Sequence, residues 1–283
     1  MSEKKTGTLY VVATPIGNVG DITLRAIEVL KTVDRIAAED TRHSAPLLKH
    51  LAIQKPMFSM HEFNERERLK IVIEHLQNGE SIALISDAGT PLISDPGFHL
   101  VREAKKQNIK VVPIPGACAA IAALSAAGLP TDRFIFEGFL PAKDEARNNR
   151  LREMLHIPST IIFYEAPHRL LDTLQSLQKV FGGERQAVVA RELTKMFESM
   201  LAMSLDELVA YYSSHEKELR GEVVILVHGI DEERSETKEV IPMQVLEILM
   251  DELPLKQAAS LASKITGERK NVLYELALEK KGK

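Results

Sequence analysis

The run Ile82-Ala83-Leu84-Ile85 passes directly into Ser86-Asp87-Ala88-Gly89-Thr90-Pro91-Leu92-Ile93-Ser94-Asp95-Pro96-Gly97, and this junction constrains the fold more than any other stretch. Four consecutive apolar residues bounded by turn chemistry read as a strand buried on both faces, the kind found in parallel sheets. Two glycines, two prolines and two aspartates follow within twelve residues, more than a chain reversal requires. Most strand-to-helix loops run only about 2–6 residues. A longer one at the carboxyl end of a parallel strand sits where open α/β sheets place their ligand crevices. The glycines let backbone approach a ligand closely, and the carboxylates can accept from hydroxyls or a cationic group. The junction therefore predicts a small-molecule site on an α/β sheet.

The flanking sequence supplies the rest of that sheet. Strands are expected at 8–13, 33–38, 57–60, 82–85 and 110–113, with helices between them, the first capped by Asp21 and others over 45–51, 66–76 and from Phe98. Such alternation produces parallel strands joined by crossover helices. A helix of almost pure Ala, Ile and Leu follows Pro115-Gly116, packs closely by composition, and breaks at Gly128-Leu129-Pro130. The second half alternates less regularly. Strands are expected at 133–136, 159–164, 186–191, 198–203 and 221–228, and helices at 143–156 and 170–180. No long helix is evident between 191 and 198, so antiparallel pairing and a mixed sheet are expected. An acidic linker, 231–239, leads to three short helices at 243–252, 254–266 and 268–278. The expected organisation is an N-terminal α/β domain (1–127), a C-terminal α/β domain (128–230) and a small helical module (240–283).

Composition removes several classes of function. A single cysteine, Cys118, excludes an internal disulfide and a cysteine-rich metal site, and no metal is expected. The first residues contain no apolar leader, and no run approaches the ~20 residues that span a bilayer, so a cytoplasmic protein without a membrane partner is expected. A net charge of −4 gives no bulk attraction to nucleic acid, so any RNA contact must come from a local basic patch. Neither G-x-G-x-x-G nor G-x-x-x-x-G-K-[ST] occurs, which disfavours dinucleotide and nucleoside-triphosphate chemistry.

The motifs themselves carry a resemblance. Ala13-Thr14-Pro15-Ile16-Gly17-Asn18, Ala38-Glu39-Asp40-Thr41-Arg42, His61-Glu62-x-Asn64-Glu65 and the 86–97 loop are similar to those of the bacterial ribosomal RNA small subunit methyltransferase I family, a branch of the tetrapyrrole-methylase superfamily. Gly128-Leu129-Pro130-Thr131-Asp132-Arg133-Phe134, Phe163-Tyr164-Glu165-Ala166-Pro167-His168-Arg169 and Arg191-Glu192-Leu193-Thr194-Lys195 extend it in order along the chain. The resemblance implies S-adenosylmethionine as methyl donor, held between two α/β domains of tetrapyrrole-methylase type. It also implies ribose 2′-O-methylation of a cytidine in the decoding region of 16S rRNA, within the small ribosomal subunit, and a homodimer. The family usually reads Pro-Gly-Pro-Ser-Ala where this chain has Pro115-Gly116-Ala117-Cys118-Ala119. A hydroxyl is lost there, and only the backbone of that turn is expected to touch the donor.

By the same resemblance, Pro15, Asp87, Thr90, Cys118 and Ala119 line the cofactor pocket from the N-terminal domain, and Tyr164, Arg191 and Glu222 from the other. Asp95 and Pro96 are expected to shape the loop. A ribose hydroxyl is a poor nucleophile and benefits from a nearby proton acceptor. Asp40 ranks first for that role, with Glu165 and His168 next and His43 and His61 as further candidates. Arg42, His43, Arg147 and Arg150 are the expected RNA contacts, although neighbouring acids also allow each to sit on an ordinary solvated helix face. The C-terminal helices resemble a small helix-turn-helix that grips the ribosomal particle or a second copy. Two other readings remain: methylation of a corrin or porphyrin precursor, and an inactive methylase scaffold that only binds.

Overall fold

The computed structural model describes residues 6–61, 64–230 and 242–281. Glu62 and Phe63 of the His61–Glu65 motif and the acidic linker 231–239 lie outside them. The chain forms two compact units, Met1–Gly229 and Ile230–Lys283. In the larger unit, β1 (Thr8–Val12), β2 (Arg35–Ala38), β3 (Met57–Ser59), β4 (Ile82–Ile85) and β5 (Lys110–Ile114) form one sheet in the order β3-β2-β4-β1-β5. Every pairing in it is parallel. The apolar runs alternate faces as the strand period demands. Leu9, Ala37, Ile82 and Leu84 meet α3 (Glu65–Gln77) and α4 (Phe98–Lys106). Val12, Ile36, Ala38, Ala83 and Ile85 meet α1 (Leu24–Thr32) and α2 (Thr41–His50) on the other face.

The second sheet is mixed, as its irregular spacing predicts. Its strands β6 (Phe134–Phe139), β7 (Thr160–Glu165), β8 (Gln186–Arg191), β9 (Ser199–Ser204) and β10 (Val223–Val227) run in the order β6-β7-β10-β8-β9. Only β6–β7 is parallel; β10 pairs antiparallel with both β7 and β8, and β8 with β9. Ile161, Phe163, Val189 and Ile225 face α6 (Asp144–Glu153), α7 (Leu170–Phe181) and α8 (Leu205–Ser214). Ile162, Val188, Ala190 and Leu226 face α5 (Ala119–Ala126), whose Ala120, Ala123 and Leu124 pack directly on them. By packing, then, α5 belongs with the second sheet, although the Gly128 break that marks the expected boundary lies after it. Small side chains let that helix approach the sheet closely, and it carries the Pro115–Ala119 turn between the two sheets.

Three helix starts differ from expectation. Asp21 lies in a short turn, and Thr23 caps α1 by accepting from the Ala26 N–H. The second helix begins four residues early because Asp40 caps it, accepting from the Arg42 N–H at 2.8 Å. α8 is absent from the expectation. Its start was legible as Ser204-x-x-Glu207, a complete capping box ahead of Leu205, Leu208 and Tyr212.

The smaller unit holds α9 (Pro242–Glu252), α10 (Leu255–Thr266) and α11 (Lys270–Lys281) around Leu246, Ala258, Ala259, Ala262, Leu273 and Ala277. Gly267, left-handed at φ 76°, ends α10. Among the described residues no helix is long and apolar enough to cross a membrane.

Candidate active site between the two sheets

The loop after β4 is fastened by backbone to its neighbours. Thr14 and Gly89 exchange both N–H···O bonds, at 2.8 and 3.1 Å, making an isolated antiparallel bridge between the loops after β1 and β4. Gly89 has φ 82°, which side-chain-bearing residues rarely adopt, and a Cβ there would crowd Ile16 Cγ2 at 3.3 Å, so the position favours glycine. The Thr14 hydroxyl donates to the Ser86 carbonyl at 3.2 Å, and the Thr90 hydroxyl donates to the Ala117 carbonyl at 2.9 Å. Three strand-to-helix turns thus become one wall.

The opposing wall comes from the second sheet. A bulge between Phe136 and Gly138 breaks the register of β6. Gly138 takes φ 75° with its Cα side against Ser94, and the next residue, Phe139, is exposed at the cleft. The Phe139 ring meets Tyr164 edge-on at 5.8 Å. The Tyr164 hydroxyl accepts from the Ala120 N–H at 3.1 Å, tying β7 to the start of α5. On the far side, the Glu192 carboxylate accepts from the Glu222 N–H at 2.9 Å and from Lys195 Nζ at 2.7 Å.

Between the walls lies a cavity of about 310 Å3, at the small end of the range for ligand pockets. Ile16, Ala88, Gly89, Thr90, Ile93, Ser94, Asp95, Cys118 and Ala119 line one side. Phe139, Tyr164, Glu165, Ala166, Pro167, Leu193 and the segment Gly221–Val224 line the other. Five of the eight expected cofactor contacts (Thr90, Cys118, Ala119, Tyr164 and Glu222) are therefore brought together. Pro15, Asp87 and Arg191 are not in the lining. Pro15 yields the wall to Ile16. The Asp87 carboxylate turns back toward β2 and accepts from the Asp40 N–H at 3.1 Å, and the Arg191 guanidinium lies 3.9 Å from Glu218.

The expected proton acceptors fare differently from one another. Asp40 is occupied as the α2 cap and by an ion pair with Arg42 at 2.7 Å. The hydrogen bonds from Arg42 hold its carboxyl down at about 2, which makes it a weak base, and it is outside the cavity lining. Glu165 lines the cavity but is buried and committed: it accepts from the Ala166 N–H at 2.8 Å and the Thr173 hydroxyl at 2.6 Å, and pairs with Arg169. His168 is exposed on the Pro167–Arg169 turn, outside the lining.

Asp95 was expected only to shape the loop, yet it lines the cavity. Burial pushes its carboxyl up to about 7; the Ser86 hydroxyl opposes the rise, and the negative charges of Glu39 and Asp87 add to it. Burial likewise raises Glu39, and it raises the Tyr164 phenol, which keeps its proton. Asp95 was findable as the second carboxylate of the same loop. Phe139 left no comparable signal, because a bulge inside a strand decides where it points. Among the described residues no three His, Cys, Asp or Glu side chains are grouped to hold a metal ion.

The expected RNA contacts divide in two. Arg42 and His43 are exposed on the first turns of α2. Arg147 is buried, and its guanidinium donates to the Ser176 hydroxyl, the Ala142 carbonyl and Asp144, so it is a packing residue of the second sheet. Arg150 forks onto Glu137 and also meets Glu153, which neutralises its charge locally.

Comparison with known proteins supplies what the geometry alone lacks. The profile of the Tetrapyrrole (Corrin/Porphyrin) Methylases matches residues 8–209, and that of the RsmI C-terminal HTH domain matches residues 240–281. The ribosomal RNA small subunit methyltransferase I of Pseudomonas aeruginosa is 58% identical over 278 residues, covering 98% of this chain and 99% of that protein. The same-named protein of Escherichia coli O157:H7 is 50% identical over 281 residues, covering 99% and 98%. Among solved structures, the uroporphyrin-III C-methyl transferase from Thermus thermophilus complexed with S-adenyl homocysteine shares the fold. It has a TM-score of 0.55 at 16% identity, over 78% of this chain and 97% of that one. With relatives that similar along almost its whole length, this chain belongs to the ribosomal RNA small subunit methyltransferase I family, within the tetrapyrrole methylases.

Proposed function

We propose that this chain transfers a methyl group from S-adenosylmethionine to the 2′-hydroxyl of a cytidine ribose in the decoding region of small-subunit ribosomal RNA. The observation that carries the reading is the near-full-length identity to ribosomal RNA small subunit methyltransferase I, including the helical unit. The cavity suits the donor: apolar Ile16, Leu193 and Val224 for its purine, and a cradle at Gly89 that a Cβ would fill. Bound there, S-adenosylmethionine supplies a methyl carbon on a sulfonium, which needs in-line approach rather than a metal. Thr90, Cys118, Ala119, Tyr164 and Glu222 would hold it. Arg42, exposed although paired with Asp40, and exposed His43 would donate to phosphates, the helical unit would add grip on the ribosomal particle, and the working form would be a homodimer.

Labelled S-adenosylmethionine with small ribosomal subunits, with free rRNA and with tetrapyrrole precursors tests this directly. Label entering only RNA, mapped to a decoding-region cytidine ribose, is the expected result. Label entering a tetrapyrrole instead would overturn it.

A further inference from the structure

We propose that Asp95 is the proton acceptor for the attacking ribose hydroxyl. The assignment rests on the methyl-transfer reading above. Among the described residues, the carboxylates that line the cavity are Asp95, Glu165 and Glu222. Glu165 is buried with its oxygens taken by a backbone N–H, the Thr173 hydroxyl and Arg169. Glu222 is exposed and lies 3.4 Å from Lys195 Nζ, so a cation already occupies it. Among the described residues no cation pairs with Asp95, and the polar group beside it is the Ser86 hydroxyl. It lies beside Ser94, against which the Gly138 bulge packs, so it shares the cleft mouth with the exposed Phe139 ring. A nucleoside entering there meets an aromatic face and a half-buried carboxylate together, the two things an extruded nucleotide needs for seating and for deprotonation.

In the step assigned, the ribose oxygen bonds to the methyl carbon, the carbon–sulfur bond breaks with its electron pair left on sulfur, and the hydroxyl proton passes to an Asp95 Oδ. The proton then returns to solvent. The groups facing Asp95 are Glu39 from the end of β2, Asp87 and Ser86 from its own loop, and Tyr164 from β7. None is a cation. The carboxyl therefore ionises near neutrality, where a base retains both availability and strength.

Asp95→Asn tests the assignment with the full-length protein, donor and small ribosomal subunits. Donor affinity by calorimetry should stay within about threefold, while single-turnover methyl transfer should fall about 10²-fold or more. The wild-type rate should rise with pH to a plateau above about 7, and that limb should vanish in the variant. Thermal unfolding without donor gives a second readout. Between the ordinary value of 3.8 and about 7, the folded protein holds a proton that the unfolded chain has released. Stability therefore falls as pH rises through that window, and Asn should abolish the fall, so the variant gains in Tm relative to wild type between pH 5 and pH 8. Unchanged turnover in the variant, or lost donor affinity, overturns the assignment. A wild-type protein that methylates no RNA instead overturns the functional reading, and the assignment with it.

Discussion

The two walls of the cleft are built by different means. The wall from the parallel sheet is backbone: the Thr14–Gly89 bridge and the Thr90 hydroxyl on the Ala117 carbonyl fix three loops to one another. The wall from the mixed sheet is side chains: Tyr164 on the Ala120 N–H, Phe139 edge-on to Tyr164, and Glu192 gathering the Glu222 N–H and Lys195. Both walls hold residues in left-handed backbone, Leu92 and Ser94 in the first, Glu192 and Thr194 in the second. Such conformations cost roughly 1–3 kcal/mol each and persist only where surrounding contacts impose them. The difference predicts where each wall is fragile. The first should fail when a Cβ intrudes, the second when a polar group is removed.

Gly89→Val should do the most damage. A branched side chain at φ 82°, with its Cβ 3.3 Å from Ile16, would open the bridge; donor affinity should drop more than about tenfold, with a stability loss of about 1–3 kcal/mol by urea denaturation. A variant that binds donor normally would mean the first wall does not depend on close backbone approach. Glu192→Ala comes next. It leaves the Glu222 N–H without its acceptor and Lys195 with only the Glu222 carboxylate, 3.4 Å away, and should cost about 1–2 kcal/mol and several-fold in donor affinity. If calorimetry showed neither loss, the second wall would not be held by that carboxylate. Tyr164→Phe removes one acceptor from the Ala120 N–H, and about 1 kcal/mol is expected in chemical denaturation. The smallest effect is expected at Asp40→Asn. Asparagine caps helices as well as aspartate does, and Asp40 is outside the cavity, so methyl transfer should be unchanged. A large loss of turnover there would return Asp40 to the chemistry and weaken the case for Asp95.

The first wall was largely legible in the sequence because its logic is local. Turn residues at the ends of β1, β4 and β5 announce loops, and short continuous apolar runs announce the strands that carry them. What local reading could not supply was which way a loop's carboxylates face. Asp87 and Asp95 look equivalent by type, yet one accepts from the Asp40 N–H and the other meets the cavity. The second wall was less legible because long-range registers decide it. The β6 bulge and the insertion of β10 between β7 and β8 leave no periodic trace. Arg147 shows the same limit, since nothing in its charged helix, which reads as a solvated face, reveals that it is buried with its guanidinium on Ser176 and Asp144.

β10 carries a consequence for synthesis. It is the last strand of the larger unit in sequence, yet it occupies the middle of its sheet, every residue buried. Until Val223–Val227 have left the ribosome, β7 and β8 each present an unpaired edge, the kind that invites pairing with other chains. The same segment supplies Val223 and Val224 to the cavity. Closure of the sheet and completion of the pocket are thus one event, and a nascent chain stalled before it would be both inactive and adhesive.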